Sequence, residues 1–149
     1  RVDRRQRQMC IRDSNNTIAS CKRFSRQPTT IFSFAEGTRN TKKKHELQDS
    51  PYRNLLKPKI GGIATALCAF PEIEYLIDYT LKYKSHKRSF WDFLMGDLSD
   101  AKVSVKKYKI PPKLKNKNYI HDENYRKDFR KWMDEIWIIK DKTIDDLKF

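Results

Sequence analysis

Apolar and β-branched residues gather in three short stretches of this chain, and this pattern predicts β-strands. The run from Thr29 to Phe34 is short and almost wholly apolar or β-branched, which is typical of a buried strand. The stretches from Ile73 to Tyr83 and from Ala101 to Ile110 alternate apolar with polar positions, so each predicts a strand with one buried face. In the last stretch the inward side chains are predicted to be Val103, Val105 and Tyr108.

Other stretches carry apolar residues at three- and four-residue steps, which predicts helices. A short helix is predicted from Asn15 to Arg26, and an alanine-rich helix from Lys59 to Phe70, before Pro71. Asp122 is expected to cap a long amphipathic helix that reaches about Leu147. Its apolar stripe consists of Tyr125, Phe129, Trp132, Ile136 and Ile139, and we expect it to pack on the rest of the domain.

Strands and helices therefore alternate along the chain, which predicts an α/β fold with a mixed sheet flanked by helices and a long C-terminal amphipathic helix. The apolar cluster from Phe90 to Met95 is expected to form a short helix or turn that packs in the core; the alternative is that it touches a membrane or lines an acyl groove. Between the first strand and the alanine-rich helix, residues 39–57 predict a polar loop in which Lys42 to Lys44 and His45 are solvated.

Charge narrows the possible partners. The 149 residues carry a formal net charge of +14, so an anionic partner is expected: a phospholipid surface, a phosphorylated small molecule or nucleic acid. The longest apolar run, Ile60 to Phe70, is shorter than the ~18 residues that a membrane-spanning helix needs. Cys10, Cys21 and Cys68 are odd in number and lack CxxC spacing, which favours a reducing compartment over a disulfide framework.

The first fourteen residues differ from the rest of the chain because they are rich in arginine and contain no lysine. Residues 4–14 resemble the translated read-through of a sequencing adapter, so we expect residues 1–14 to be non-native. The alternative is a genuine basic arm. Leaving the segment out removes five arginines and two aspartates, and the remaining net charge is still +11.

A candidate anion site follows the first predicted strand. Arg39 offers a planar set of donors that matches phosphate oxygens, and Thr38 adds a hydroxyl. Gly37 allows the backbone to come close to a ligand, and Glu36 can orient Arg39 or accept a hydrogen bond from a substrate hydroxyl. The structural alternative is a plain turn with a surface Glu–Arg pair.

The segment from Phe34 to Arg39 resembles the Phe-Pro-Glu-Gly-Thr-Arg signature of the glycerolipid acyltransferases, the family of 1-acylglycerol-3-phosphate acyltransferase, with Ala35 in place of proline. A Lys-x-Gly helix start follows in that family, and Lys59 and Gly61 occupy those positions here. The chain is most similar to a bacterial subgroup of probable acyltransferases, which shares the Leu-Leu-x-Pro-Lys entry at residues 55–59 and a Lys-Asp pair in the last helix.

The resemblance implies transfer of an acyl group from acyl-CoA or acyl carrier protein to a lysophospholipid, without a metal or other cofactor. Glu36, Gly37, Thr38 and Arg39 would bind the acceptor phosphate and glycerol, with Lys59 as a second cation and Gly61 at the helix start. It also implies an anionic membrane surface as partner, at the cytoplasmic face of a bacterial inner membrane. No nucleic-acid-binding motif is present, so nucleic acid is not an expected partner.

The catalytic pair of the family, His-x4-Asp upstream of the signature, is not found in this sequence. His45, His86 and His121 all follow the signature, and none has an aspartate five positions later. Residues 15–149 are therefore expected to be the C-terminal part of a single acyltransferase domain, which holds the acceptor and lacks the catalytic block. A non-catalytic phospholipid-binding relative and, less favoured, a basic nucleic-acid-binding protein are the alternatives.

We predict that this chain alone has no acyltransferase activity, because it contains no histidine–aspartate pair that could serve as the general base. The measurement is acylation of lysophosphatidate from acyl-CoA by the purified chain, with heat-treated protein as the control. Activity above that control would contradict the prediction.

Overall fold

The computed structural model of the protein describes residues 30–85, 90–96, 100–115 and 122–149. Along the chain the elements are α1 (Lys42–Gln48), α2 (Ile60–Ala69), β1 (Tyr75–Tyr83), α3 (Phe90–Leu94), β2 (Ala101–Lys109), a 3-10 turn (Pro112–Leu114) and α4 (Glu123–Asp146). The predicted helix from Asn15 to Arg26 and the predicted boundary after residue 14 lie outside the described residues.

The predicted long helix is confirmed as α4. Asp122 is its N-cap, and the carboxylate accepts a hydrogen bond from the backbone N–H of Tyr125 at 2.9 Å. Its buried side chains are Tyr125, Phe129, Met133, Ile136, Trp137 and Thr143. Ile139, which was predicted to belong to the apolar stripe, is 40% exposed. Met133 and Trp137 are buried and belong to the stripe instead.

The core forms where α4 packs against α2 and against the segment that enters α2. Leu56 and Phe129 are fully buried, and Ala64 of α2 lets the two helices approach closely. Trp137 donates its indole N–H to the carbonyl of Leu56 at 3.0 Å, so the polar group of this large side chain is satisfied. The alanine-rich helix predicted before Pro71 is therefore confirmed, and its small side chains explain its position.

The predicted loop of residues 39–57 contains a helix, α1. Thr41 precedes it in extended conformation and accepts a hydrogen bond from the backbone N–H of Lys44. Asp49 ends it in the left-handed conformation, with φ of 46°, and its N–H donates to the carbonyls of Glu46 and His45. Local capping thus produces a helix in a segment whose lysines and lack of apolar periodicity predicted a loop.

The described sheet consists of β1 and β2, which pair antiparallel from Tyr75 opposite Lys109 to Tyr83 opposite Ala101. Both strands were predicted within two residues of these ends. The run from Thr29 to Phe34, by contrast, is not a buried strand: residues 30–34 are in no strand, and Phe32 and Phe34 are 82% and 93% exposed. Within the described residues this run has no partner strand, and β-propensity alone does not form one.

The face of the sheet that meets α4 is the polar one. Lys140 of α4 forms an ion pair with Asp78 at 2.5 Å and donates to the carbonyl of Tyr79 at 2.9 Å. Lys106 donates to the hydroxyl of Thr143 at 2.6 Å. Asp78 and Thr80 are buried, and the Thr80 hydroxyl donates to the Asp78 carboxylate at 3.1 Å. Charged hydrogen bonds therefore join the sheet to the long helix.

The apolar face of the sheet is correspondingly exposed, and the inward orientation predicted for Val103 and Val105 is wrong. These side chains are 53% and 56% exposed, and their neighbours on β1 are exposed to a similar extent. Those neighbours are Tyr75, Ile77, Tyr79 and Leu81. Tyr108, on the opposite face, is inward as predicted, and its hydroxyl is buried without a partner in the described part of the chain.

The cluster from Phe90 to Met95 contains the predicted short helix, α3, but its described side chains do not pack in the core. Phe90, Trp91, Leu94 and Met95 are between 57% and 79% exposed. Phe90 and Trp91 contact each other edge to face, with ring centroids 6.1 Å apart. The expectation of core packing is therefore wrong for these four residues.

We predict that Lys140→Met destabilises the protein by about 3 kcal/mol, because it leaves the Asp78 carboxylate buried without its partner. The matched control is Lys127→Met, since the pair of Lys127 with Glu123 is 73% exposed on both sides and is worth at most about 0.5 kcal/mol. Urea unfolding measures both. The double variant Asp78→Leu/Lys140→Met should recover most of the loss, and equal effects of the two single variants would contradict this account.

Candidate phosphate-binding site

The predicted signature forms a tight turn at the edge of the core. The backbone N–H of Gly37 donates to the carbonyl of Phe34 at 2.8 Å. Gly37 has a φ of 65°, in the left-handed region that glycine adopts without strain. Ala35 is half-buried against the core, so the turn is held at this residue, while Gly37 and Arg39 are exposed.

Lys59 crosses this turn. Its backbone N–H donates to the carbonyl of Ala35 at 2.6 Å, which brings the start of α2 alongside the signature. A β-carbon at position 37 would lie 2.9 Å from Cδ and 3.2 Å from Nζ of Lys59. The absence of a side chain at Gly37 therefore allows the lysine to lie over the backbone, and its ammonium lies beside the turn.

Glu36 points toward the protein rather than toward Arg39. It is half-buried and accepts a hydrogen bond from the backbone N–H of Leu56. Burial raises the pKa of Glu36 above its usual value, and the hydrogen bond from Leu56 and the charge of Lys140 act in the opposite direction. The described residues contain no ion pair between Glu36 and Arg39.

Thr38 and Arg39 form the outer part of the site. The hydroxyl of Thr38 accepts a hydrogen bond from Nζ of Lys44 at 2.5 Å. Arg39 is exposed, and its guanidinium has no carboxylate partner among the described residues. Its guanidinium carries five N–H donors and lies at the exposed surface, where a ligand can reach it.

Gly61 lies in the first turn of α2, two residues after Lys59. Lys59 is the N-cap of this helix and makes no capping hydrogen bond with its side chain. The unpaired N–H groups of a helix start favour negative charge, so they add to the positive potential of the lysine. The structure thus brings Glu36, Gly37, Thr38 and Lys59 together, with Gly61 one helical turn away at most.

The neighbouring loop is fixed by α1 and α4. Asp141 accepts hydrogen bonds from the backbone N–H groups of Arg53 and Asn54, both at 2.8 Å. The carbonyl of Asn54 in turn accepts from the side-chain amide of Asn40, which directly follows the signature, at 2.8 Å. The Lys-Asp pair of the last helix therefore has two different structural roles: Lys140 holds the sheet and Asp141 holds this loop.

His45 is not the solvated side chain expected from its lysine-rich surroundings. It is half-buried, and Nε2 donates to the carbonyl of Tyr52 at 2.6 Å. Tyr52 is itself buried, and its hydroxyl donates to Asp134 at 3.0 Å. Burial, and then this hydrogen bond, raise the pKa of Tyr52 above its usual value. His45 therefore joins α1 to the core.

Two residues near the site were not predicted from the sequence. Lys44 contacts Thr38, and its position could have been inferred only by recognising Thr41 as a helix cap three residues earlier. Lys140 acts electrostatically on Glu36 from a helix more than a hundred positions away in sequence, and no local pattern indicates this.

The described ranges contain no group of three or more His, Cys, Asp or Glu side chains that could hold a metal ion. None of the helices in those ranges is both long and apolar enough to cross a membrane. Comparisons with protein-family models, with curated proteins and with solved structures found no match.

We predict that Glu36→Gln raises the melting temperature at pH 7.5 by about 1–3 °C, since the amide keeps an acceptor for Leu56 without a buried charge. A raised pKa means that the folded state binds the proton more tightly than the unfolded chain. Glu36 therefore costs stability above its folded pKa, and this cost disappears as the pH falls below the usual value of 4.5. The advantage of the variant should disappear over the same range.

Thermal unfolding at a series of pH values measures this difference. Glu135→Gln, an exposed position on α4, is the control and should shift the melting temperature at neither end of the series. A constant difference for Glu36→Gln at all pH values would show that its carboxyl group is not the titrating group.

Proposed function

We propose that this chain binds the phosphate and glycerol of a lysophospholipid acceptor, as part of an acyltransferase that takes fatty acyl groups from a thioester carrier. The observation that carries the proposal is the arrangement of charge at the signature. The Lys59 ammonium lies over Gly37, the exposed Arg39 guanidinium has no carboxylate partner among the described residues, and the Glu36 carboxylate is turned inward. Two cations are left facing solvent at one tight turn.

Arg39 suits a phosphate because its planar donors make two parallel hydrogen bonds to two oxygens. Lys59 contributes a point charge, and the Thr38 hydroxyl, whose oxygen accepts from Lys44, keeps its hydrogen to donate. Because the carboxylate of Glu36 is turned inward, it does not oppose the phosphate directly. The motif resemblance to glycerolipid acyltransferases assigns the same residues to the acceptor.

Acyl transfer also needs a base that takes the proton of the attacking hydroxyl as it attacks the thioester carbonyl. The family uses a histidine paired with an aspartate for this step, and the three histidines of this chain do not have that spacing. We therefore assign the chain to acceptor binding, with the catalytic pair supplied by another part of the enzyme. The donor is acyl-CoA or acyl carrier protein.

The proposed location is an anionic membrane surface, the cytoplasmic face of a bacterial inner membrane. The net charge of +14 supports it, because each lysine near an anionic leaflet contributes about 1 kcal/mol of attraction. Membrane association also places the site close to a lipid acceptor.

A second candidate is a phospholipid-binding protein without catalytic activity. The observation that favours it is the absence of the His-x4-Asp spacing from the sequence. Both candidates use the same phosphate site. They differ in whether the chain, joined to its catalytic block, transfers an acyl group.

We predict that Arg39→Ala weakens binding of 1-hexanoyl-lysophosphatidate by about tenfold or more, because it removes a bidentate, charge-assisted contact. Binding of the short-chain lipid to the purified chain is measured by NMR titration. Arg126→Ala removes the same charge from an exposed position on α4 and should change the affinity less than about twofold.

Equal losses in both arginine variants would mean that net charge, not the site, drives binding, and would remove the assignment. A second comparison tests the nucleic-acid alternative. The proposed function expects stronger retention on phosphatidylglycerol vesicles than on DNA at the same salt concentration, and the reverse order would favour a nucleic-acid-binding protein.

A further inference from the structure

Lys44 differs from the other lysines of its run. Lys42, Lys43 and Lys44 are consecutive on α1, yet Lys42 and Lys43 are exposed whereas Lys44 is half-buried. Its Nζ donates to Oγ1 of Thr38 at 2.5 Å, so the side chain folds back over the signature. A solvated lysine side chain samples several conformations, whereas the hydrogen bond to Thr38 favours one conformation of Lys44.

The position of Lys44 is fixed by Thr41, which precedes α1, and by His45, the next residue of the helix. The Thr41 hydroxyl accepts from the backbone N–H of Lys44, which sets the first turn of the helix. The next residue, His45, donates to the carbonyl of buried Tyr52 at 2.6 Å, which fixes the helix against the core. The ammonium is thus directed toward Thr38 by a supported backbone.

The contact also determines what Thr38 can do. A hydroxyl has one hydrogen to donate, and its oxygen here accepts from Lys44. The hydrogen of Thr38 is therefore left to donate elsewhere. The Lys44 ammonium keeps two further N–H donors, so an anion beside Thr38 meets donors from both side chains.

We propose that Lys44 is a third cationic ligand of the phosphate, and that Arg39, Lys44 and Lys59 together select a phosphate monoester over a phosphate diester. This inference rests on the proposed function. Lys44 contacts Thr38, Lys59 lies over Gly37, and the exposed Arg39 directly follows Thr38, while the carboxylate of the turn, Glu36, is turned inward. At neutral pH a monoester carries nearly two negative charges and a diester one, so the third cation favours the monoester.

The experiment compares lysines of the same helix in the otherwise intact chain. Binding of sn-glycerol 3-phosphate, a monoester, and of glycerophosphoglycerol, a diester, is measured by NMR titration at pH 7.5. We expect Lys44→Ala to weaken monoester binding about tenfold and diester binding much less, so that the preference for the monoester falls. Lys43→Ala removes the same charge one position away and should change either affinity less than about twofold.

Two further variants separate the possible failures. Lys44→Arg keeps the charge and the donors and should retain most of the monoester preference. If Arg39→Ala weakens binding while Lys44→Ala behaves like Lys43→Ala, the inference about Lys44 is wrong and the proposed function stands. If neither Arg39→Ala nor Lys59→Ala weakens binding of the monoester, the proposed function itself fails, and this inference fails with it.

Discussion

The attachment of the sheet to the long helix depends on the buried ion pair between Lys140 and Asp78. It joins α4 to β1, with side chains that are only 13% and 9% exposed. The same ammonium opposes the rise in pKa that burial imposes on Glu36. Because two charges have been removed from water together, loss of either leaves the other unsatisfied and weakens the attachment of the sheet to the helix.

Asp141, the next residue along, extends this connection to the loop beside the signature. Its carboxylate accepts hydrogen bonds from the backbone N–H groups of Arg53 and Asn54. The carbonyl of Asn54 accepts a hydrogen bond from the side chain of Asn40, which directly follows Arg39. Two consecutive residues of α4 therefore act near the site: Lys140 favours the charged form of Glu36, and Asp141 holds the loop at Arg53 and Asn54. The site depends on a helix that contributes no proposed ligand to it.

Elements whose structure depends on their own local sequence were predicted best. The long periodicity of α4 and the cap at Asp122 predicted that helix correctly, and the strands of the hairpin were predicted nearly to their ends. The alternation of β2 showed two faces but did not show which one is buried. Polar partners on α4 select the polar face, so Val103 and Val105 point outward.

The same distinction applies to the candidate site. Residues 36–39 and Lys59 could be found from a local motif, and the structure brings the turn and the lysine together. Lys44 was hidden in a charged run, since its position depends on a cap at Thr41 and on the bond from His45 to Tyr52. Interactions between segments that are distant in sequence leave no periodic pattern, so they can be read only from the fold.

The exposed apolar face of β1 and β2 has a practical consequence for the protein in solution. Within the described residues each strand pairs only with the other, and a strand edge that is left unpaired can pair with another chain. Lysines along β2, such as Lys107 and Lys109, repel a second copy and act against this pairing. Added salt shortens the range of that repulsion while leaving the apolar face unchanged. Salt should therefore promote self-association of this strongly basic chain, and low ionic strength should keep it dispersed.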